Sequence, residues 1–308
     1  MSVNKVLSIV GPTAVGKTAL SIELAKTFPA EIISGDSMQI YKGMDIGTGK
    51  ITKEEMQGIP HYMIDIKEPD EPFSVAEFKE IVERYIRHIH QKNKLPILVG
   101  GTGLYIRAVL YDYEFNNRKR DETVTKRLEA FIAEHGVGPL YEKLKKIDPK
   151  QAEKIHPNNH RRVIRALEIY ETTGLTMTEI HKRQKQKPKY DHLIIGLMME
   201  RNRLYAKINK RVDEMIANGL VDEVRRLYEL GYEHTQAMQA IGYKELIPYF
   251  KGEMTLEEAI QLLKQNTRRY AKRQLTWFKN QMDVEWFDVD EKNVFDKIRS
   301  RVESFLND

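Results

Sequence analysis

Two groups of residues near the N-terminus have the types and spacing to do chemistry. Gly11-Pro12-Thr13-Ala14-Val15-Gly16-Lys17-Thr18 fits the pattern G-x-x-x-x-G-K-[ST] at every fixed position. Glycines at 11 and 16 permit a tight turn whose backbone N–H groups point inward, and the helix that follows adds the partial positive charge of its N-terminus. Lys17 supplies a mobile full charge, and the Thr18 hydroxyl can ligate a Mg²⁺ ion shared with phosphate oxygens. The implied ligand is a polyphosphate or diphosphate, and the loop does not single out ATP. The second group is Ile32-Ile33-Ser34-Gly35-Asp36-Ser37-Met38-Gln39. Asp36 stands at the carboxyl end of an apolar run, where it can serve as a general base or a metal-bound carboxylate. The same position also suits a turn or N-cap aspartate.

Absences narrow the chemistry. A P-loop ATPase carries an acid at the end of an apolar strand to hold its metal; here Pro96–Val99 runs into Gly100-Gly101-Thr102-Gly103 with no carboxylate. This weakens hydrolysis and leaves group transfer. The chain has no cysteine, which excludes disulfides, zinc–thiolate sites, iron–sulfur clusters and thiol nucleophiles, and suits a reducing cytosol. His156 and His160 are four apart with no third ligand in sight, and read as solvated surface. No apolar run reaches the roughly 18 residues of a membrane span. The N-terminus enters the first strand directly, without the pattern of a signal peptide. The expected location is cytoplasmic and the expected state a monomer.

The elements that must position these groups are short apolar runs alternating with helical patterns. Val6–Val10, Glu31–Ser34, Tyr62–Ile66, Pro96–Gly100 and Leu193–Met198 read as buried parallel strands, with a last strand at Val284–Val289. Leu20, Leu24 and Phe28 repeat at helical spacing after the first strand. Ser74-Val75-Ala76-Glu77 reads as a capping box opening a second helix. The alternation predicts an α/β fold: a P-loop NTPase-like parallel sheet covered by helices. From about Asn116 to Tyr190 the pattern is helical only, with Lys185–Lys189 as an exit linker. The expected organisation is therefore a core of residues 1–115 and 191–308 carrying an all-helical insertion domain, 116–190.

Charge separates the same regions. The formal net charge is +5. Residues 117–190 hold 18 Lys+Arg against 10 Asp+Glu, whereas 1–116 hold 13 against 15 and 191–308 hold 19 against 20. All excess positive charge lies in the insertion, which reads either as a solvated helical surface or as a polyanion-binding appendage. Three readings fit the residues so far: a group transferase acting on a nucleic acid, a nucleoside or nucleotide kinase, and an RNA-binding protein with a vestigial phosphate loop.

Longer stretches resemble a known family, the tRNA dimethylallyltransferases (tRNA isopentenyltransferases). They are GPTAVGKT at 11–18, SGDSMQIYKGMDIGTGK at 34–50, HYMIDI at 61–66, FSVAEF at 73–78 and LVGGTGLY at 98–105. They continue with HPNNHRRVIRALEIYETTG at 156–174, AIGYKE at 240–245 and KRQLTWF at 272–278. The resemblance implies transfer of a dimethylallyl group from dimethylallyl diphosphate to N6 of the adenosine 3′-adjacent to the tRNA anticodon, with Mg²⁺. It implies that Gly11, Pro12, Thr13, Ala14, Val15, Gly16, Lys17 and Thr18 hold the diphosphate, with Thr18 on the metal. Asp36 would take the amine proton. Asp36, Ser37, Met38, Gln39, Thr102 and the stretch Arg161-Arg162-Val163-Ile164-Arg165 would contact tRNA. Gly242 to Glu245 and Lys272 to Trp277 would lie near the nucleic acid, with Trp277 read as helix core. The chain departs from its relatives at Lys207, where many carry arginine, the planar fork suited to diphosphate, and at Arg161, often glutamine. A C-terminal zinc finger found in some relatives cannot form without cysteine.

Overall fold

The apolar runs form strands because their side chains are covered on both faces. Residues 4–111, 121–183 and 187–308 are described by the structure, a computed structural model. The strands are β1 (Lys5–Val10), β2 (Ala30–Ser34), β3 (His61–Tyr62), β4 (Leu95–Gly100), β5 (Asp191–Met198) and β6 (Glu285–Asp288). All pairings are parallel, in the order β3-β2-β4-β1-β5-β6. Successive side chains alternate between two cores. Val6, Val10, Ile33, Leu98 and Ile194 enter one, and Leu7, Ile9, Ile32, Ile97 and Ile195 enter the other.

Helices cover these cores. They are α1 (Lys17–Thr27), α2 (Lys53–Met56), α3 (Val75–Gln91) and α4 (Gly103–Leu110), then α5 (Glu122–His135), α6 (Gly138–Ile147), α7 (Pro149–Ala152), α8 (His160–Thr173) and α9 (Met177–Arg183). After β5 come α10 (Arg201–Ala217), α11 (Leu220–Glu229), α12 (Ile247–Phe250), α13 (Leu256–Gln281) and α14 (Val294–Asn307). Ser74 caps α3 by accepting the Glu77 N–H at 3.1 Å. The Glu77 carboxylate pairs with Lys67 at 3.0 Å. The extended run expected at Tyr62–Ile66 stops after Tyr62, because Met63 and Asp65 take positive φ and turn the chain away from the sheet.

The chain divides into two units, Met1–Tyr111 with Pro188–Asp308, and Asp112–Lys187. The sequence suggested breaks near 116 and 190. The return point falls earlier because Pro188 bridges Tyr111 and the Lys189 N–H donates to the Leu110 carbonyl at 2.9 Å. Residue 116 and residues 185–186 of the expected linker lie outside the described residues. Unit 2 is helical throughout its described residues and has its own core of Leu128, Leu140, Leu144, Val163, Ile164 and Leu167. Buried Asp148 fastens its last helix, accepting the Thr178 hydroxyl at 2.6 Å and the Thr178 N–H at 2.9 Å. Among the described residues no helix is long and apolar enough to cross a membrane.

Candidate active site

The turn between β1 and α1 is built as its glycines require. Gly11, Ala14 and Gly16 have φ of 143°, 65° and 111°, a left-handed pattern that turns successive N–H groups into one concavity. A Cβ on Gly11 would lie 2.6 Å from the Leu197 carbonyl oxygen, so only glycine fits against β5. Val15 faces away into the core. The Lys17 ammonium folds over the loop and donates to the Pro12 carbonyl at 2.7 Å and the Gly11 carbonyl at 3.1 Å. Thr13, Ala14, Gly16, Lys17 and Thr18 line a cleft of about 950 Å³, while Gly11, Pro12 and Val15 form its support.

Asp36 opens into the same cleft. Two glycines make this possible. Gly35 follows the last residue of β2 and Gly100 ends β4, the Gly35 N–H donates to the Val99 carbonyl at 2.7 Å, and a Cβ on Gly100 would lie 2.5 Å from the Gly35 oxygen. The two strand ends therefore close up, and Asp36 emerges at the carboxyl edge beside the phosphate loop, where parallel sheets bind ligands. Its Oδ1 accepts the Met38 N–H at 2.8 Å. Burial raises the Asp36 carboxyl above its ordinary range, against the pull of the Met38 N–H and the Lys17 charge. Burial lowers Lys17 to about 8, with the Arg211 guanidinium adding to the shift and Asp36 opposing it. Within the cleft, Asp36, Lys17 and Arg211 thus sense one another's charge.

Arg211 is a site residue that sequence reading missed. It comes from α10, with Lys207 and Lys210 also lining the cleft. Its guanidinium lies over Gly49, where a Cβ would collide with it. Gln274 of α13 is a second such residue. Its Oε1 accepts the Thr13 N–H at 2.9 Å and its Nε2 donates to the Gly101 carbonyl at 3.0 Å, tying the phosphate loop to the turn after β4. The Thr13 N–H is thereby engaged within the protein. Neither residue has a local spacing signal; the motif KRQLTWF contains Gln274 but does not show its direction.

The remaining expected contacts fall into distinct places. Gln39 lines the cleft, but its side chain is held inside the protein: its Oε1 accepts from Ser34 Oγ at 2.8 Å, and its Nε2 donates to the Thr48 and Gly49 carbonyls at 3.4 and 3.3 Å. Ser37 is half-buried, and Met38 packs partly against the core. Thr102 is the residue before α4, with its hydroxyl enclosed beside Tyr270, whose phenol burial raises to about 12. Trp277 packs on Phe278 with ring centroids 5.3 Å apart and against Gly103, in agreement with its reading as core. In unit 2, Arg161, Arg162 and Arg165 are exposed, but Val163 and Ile164 are buried in the helical core. Those two apolar side chains therefore face the helical core rather than solvent. Arg165 is also engaged, donating to buried Glu168 at 2.8 Å.

Mg²⁺ fits this donor set. Among the described residues no three His, Cys, Asp or Glu side chains form a metal cluster. The protein offers the Thr18 hydroxyl at the cleft, as suits an ion that keeps water and substrate phosphate oxygens.

A parallel sheet, a glycine turn feeding a helix and an acid just past the carboxyl end of β2 in the same cleft define a P-loop protein equipped for group transfer. Residues 39–281 match the IPP transferase family, and the chain belongs to that family. It is 57% identical to the tRNA dimethylallyltransferase of Oceanobacillus iheyensis over 98% of this chain and 96% of the relative. It is 60% identical to that of Bacillus cytotoxicus over 92% and 90%. The fold matches the crystal structure of the full-length tRNA isopentenylpyrophosphate transferase of Bacillus halodurans at TM-score 0.75 and 52% identity, covering 99% of this chain and 97% of that one. It also matches a eukaryotic dimethylallyltransferase acting on tRNA at TM-score 0.84 and 32% identity, covering 99% and 80%.

Proposed function

We propose that the cleft is where a dimethylallyl group passes from dimethylallyl diphosphate to N6 of the adenosine 3′-adjacent to the anticodon of a tRNA. Family membership and the relatives' activity support a prenyl transfer to tRNA. The single observation that carries the chemistry is the sharing of one cleft by Lys17 and Asp36.

The residues divide the work by charge. The diphosphate binds the amides of Ala14 to Thr18, displaces the Lys17 ammonium from the Gly11 and Pro12 carbonyls, and is further neutralised by Arg211 and Lys207. Preorganised donors are most effective where charge develops, here on the leaving diphosphate as its C–O bond breaks. Mg²⁺, held by Thr18 Oγ1, would supply further neutralisation of that charge. The nucleophile is an amine weakened by delocalisation into the purine ring. As the N6–C bond forms, N6 gives one proton to the Asp36 carboxylate, which burial has made more basic than an exposed acid. A partly unpaired loop base is cheaper to extrude into such a cleft than a paired one. The exposed arginines Arg161 and Arg162 of the basic unit would take phosphates of the tRNA backbone. The setting is expected to be cytoplasmic.

The test is incubation with dimethylallyl diphosphate, Mg²⁺ and unmodified tRNA, with digested nucleosides weighed by mass spectrometry. An adenosine carrying one added dimethylallyl group is the expected product. Unmodified nucleosides together with phosphate transfer from labelled ATP would replace this reading with a kinase.

A further inference from the structure

We propose that Glu223 is a positioning residue that holds the cleft's acid and Arg211 in register, a role that rests on the transfer reaction above. Glu223 lies on α11, more than 170 residues from the loop it holds. Its Oε2 accepts the N–H groups of Asp45 and Ile46, both at 2.9 Å. Its Oε1 accepts the Gly47 N–H at 3.0 Å and the Tyr243 hydroxyl at 2.6 Å. Three consecutive amides therefore converge on one internal carboxylate, a concavity that elsewhere binds anions.

This fastening continues to the site. A Cβ on Gly47 would lie 2.5 Å from Tyr243 Cε2, so the loop touches the fully buried tyrosine ring directly. The next two carbonyls, Thr48 and Gly49, accept from Gln39 Nε2, and Gln39 Oε1 accepts from Ser34 Oγ. Ser34 Oγ in turn accepts the Asp36 N–H at 3.3 Å. On its other side Gly49 carries the Arg211 guanidinium, whose charge acts on Asp36 and Lys17. Lys50 adds a second fastener, donating to the Tyr41 carbonyl at 2.8 Å and to Asp45 at 2.6 Å. One buried tyrosine and one glutamate thus set the loop that sets Gln39, Arg211 and the Asp36 backbone. Glu223 touches none of the reacting groups. Gly47 of DIGTGK and the tyrosine of AIGYKE find their reason here, as the two sides of one contact, and Gly49 makes room for the Arg211 guanidinium.

The experiment compares the full chain with Glu223→Gln and Tyr243→Phe. Gln at 223 keeps an oxygen for two amides but turns an NH₂ toward the Gly47 N–H, an opposition of donors. The single-turnover transfer rate at saturating dimethylallyl diphosphate and tRNA should fall about tenfold to a hundredfold in Glu223→Gln, the range for a buried donor left unpaired. Tyr243→Phe should lose only a few-fold. Inorganic diphosphate should still fill one site per molecule in both variants, because the 11–18 turn is untouched, with affinity lowered several-fold at most by the displaced Arg211 charge. Amide hydrogen exchange over residues 39–49 should accelerate in Glu223→Gln. A merely structural role predicts instead that rate loss follows loss of diphosphate sites or of folded protein, with the remaining molecules turning over at the parental rate. That result, or a transfer rate within twofold of the parent in both variants, overturns the proposal. If the parent itself fails to prenylate tRNA, the functional reading falls, and unchanged exchange over 39–49 separately overturns the relay. Should Glu223→Gln not fold, Tyr243→Phe carries the same comparison.

Discussion

Raising the pH should weaken capture of the diphosphate substrate through the loss of one proton from Lys17. Burial and the Arg211 charge bring this ammonium from 10.5 to about 8. In the free protein the charged fraction falls from about nine-tenths at pH 7 to about 3% at pH 9.5, so kcat/KM for dimethylallyl diphosphate should drop about thirtyfold over that interval. Bound diphosphate restores the ammonium, so kcat at saturation should hold to a higher pH than kcat/KM. Stability has the opposite sign. A lysine with a folded pKa below its unfolded value disfavours the folded state while protonated. Its contribution therefore improves as pH rises from about 8 toward 10.5. The whole shift corresponds to about 3 kcal/mol, reduced by the part of the side chain that water reaches. The assay is initial-rate prenyl transfer from pH 6.5 to 9.5 on the parent and Lys17→Arg, with denaturant unfolding alongside. Arginine stays charged throughout, so Lys17→Arg should lower the rate at neutral pH but lose the alkaline limb. A flat kcat/KM to pH 9.5, or the same alkaline limb in Lys17→Arg, would refute the reasoning.

Other outcomes follow from single contacts. Gln274→Ala removes both hydrogen bonds of the strut between the Thr13 N–H and the Gly101 carbonyl. It should lower unfolding free energy by about 2–4 kcal/mol and raise KM for dimethylallyl diphosphate, read by denaturant melts and initial rates; unchanged values in both would remove the strut from the account. Gly101→Ala drives a methyl into Gln274 and should reproduce the KM effect in the same assay. Arg161→Ala with Arg162→Ala should weaken tRNA binding and reduce the salt slope of log Kd by up to about 2, with no change in diphosphate affinity. Arg165→Ala should act on stability, because it leaves Glu168, buried within the helical unit, without its arginine.

The parts of this protein legible in its sequence are those carried by local spacing. The phosphate turn needs eight consecutive residues, and Asp36 needs only the end of an apolar run, so both could be placed without coordinates. The charge balance marked the helical unit for the same reason. Arg211, Gln274 and Glu223 were not legible, since each sits on a helix far along the chain. Helical periodicity separates buried from exposed faces but does not say which polar face meets a cleft. The extended run after Tyr62 misled because apolar residues alone do not exclude the left-handed turns at Met63 and Asp65. At α8, Val163 and Leu167 stand four apart on one helical face, and the burial of Val163, Ile164 and Leu167 shows helical spacing to be the better guide within that helix.

The most direct measurement is rapid-quench transfer by Asp36→Asn, loaded with labelled dimethylallyl diphosphate and tRNA. With the acid beside Lys17 as proton acceptor, both ligands should bind near parental affinity while prenyl-adenosine forms at least about a hundredfold more slowly. Transfer at the parental rate, or a loss traced wholly to failed diphosphate binding, would contradict it.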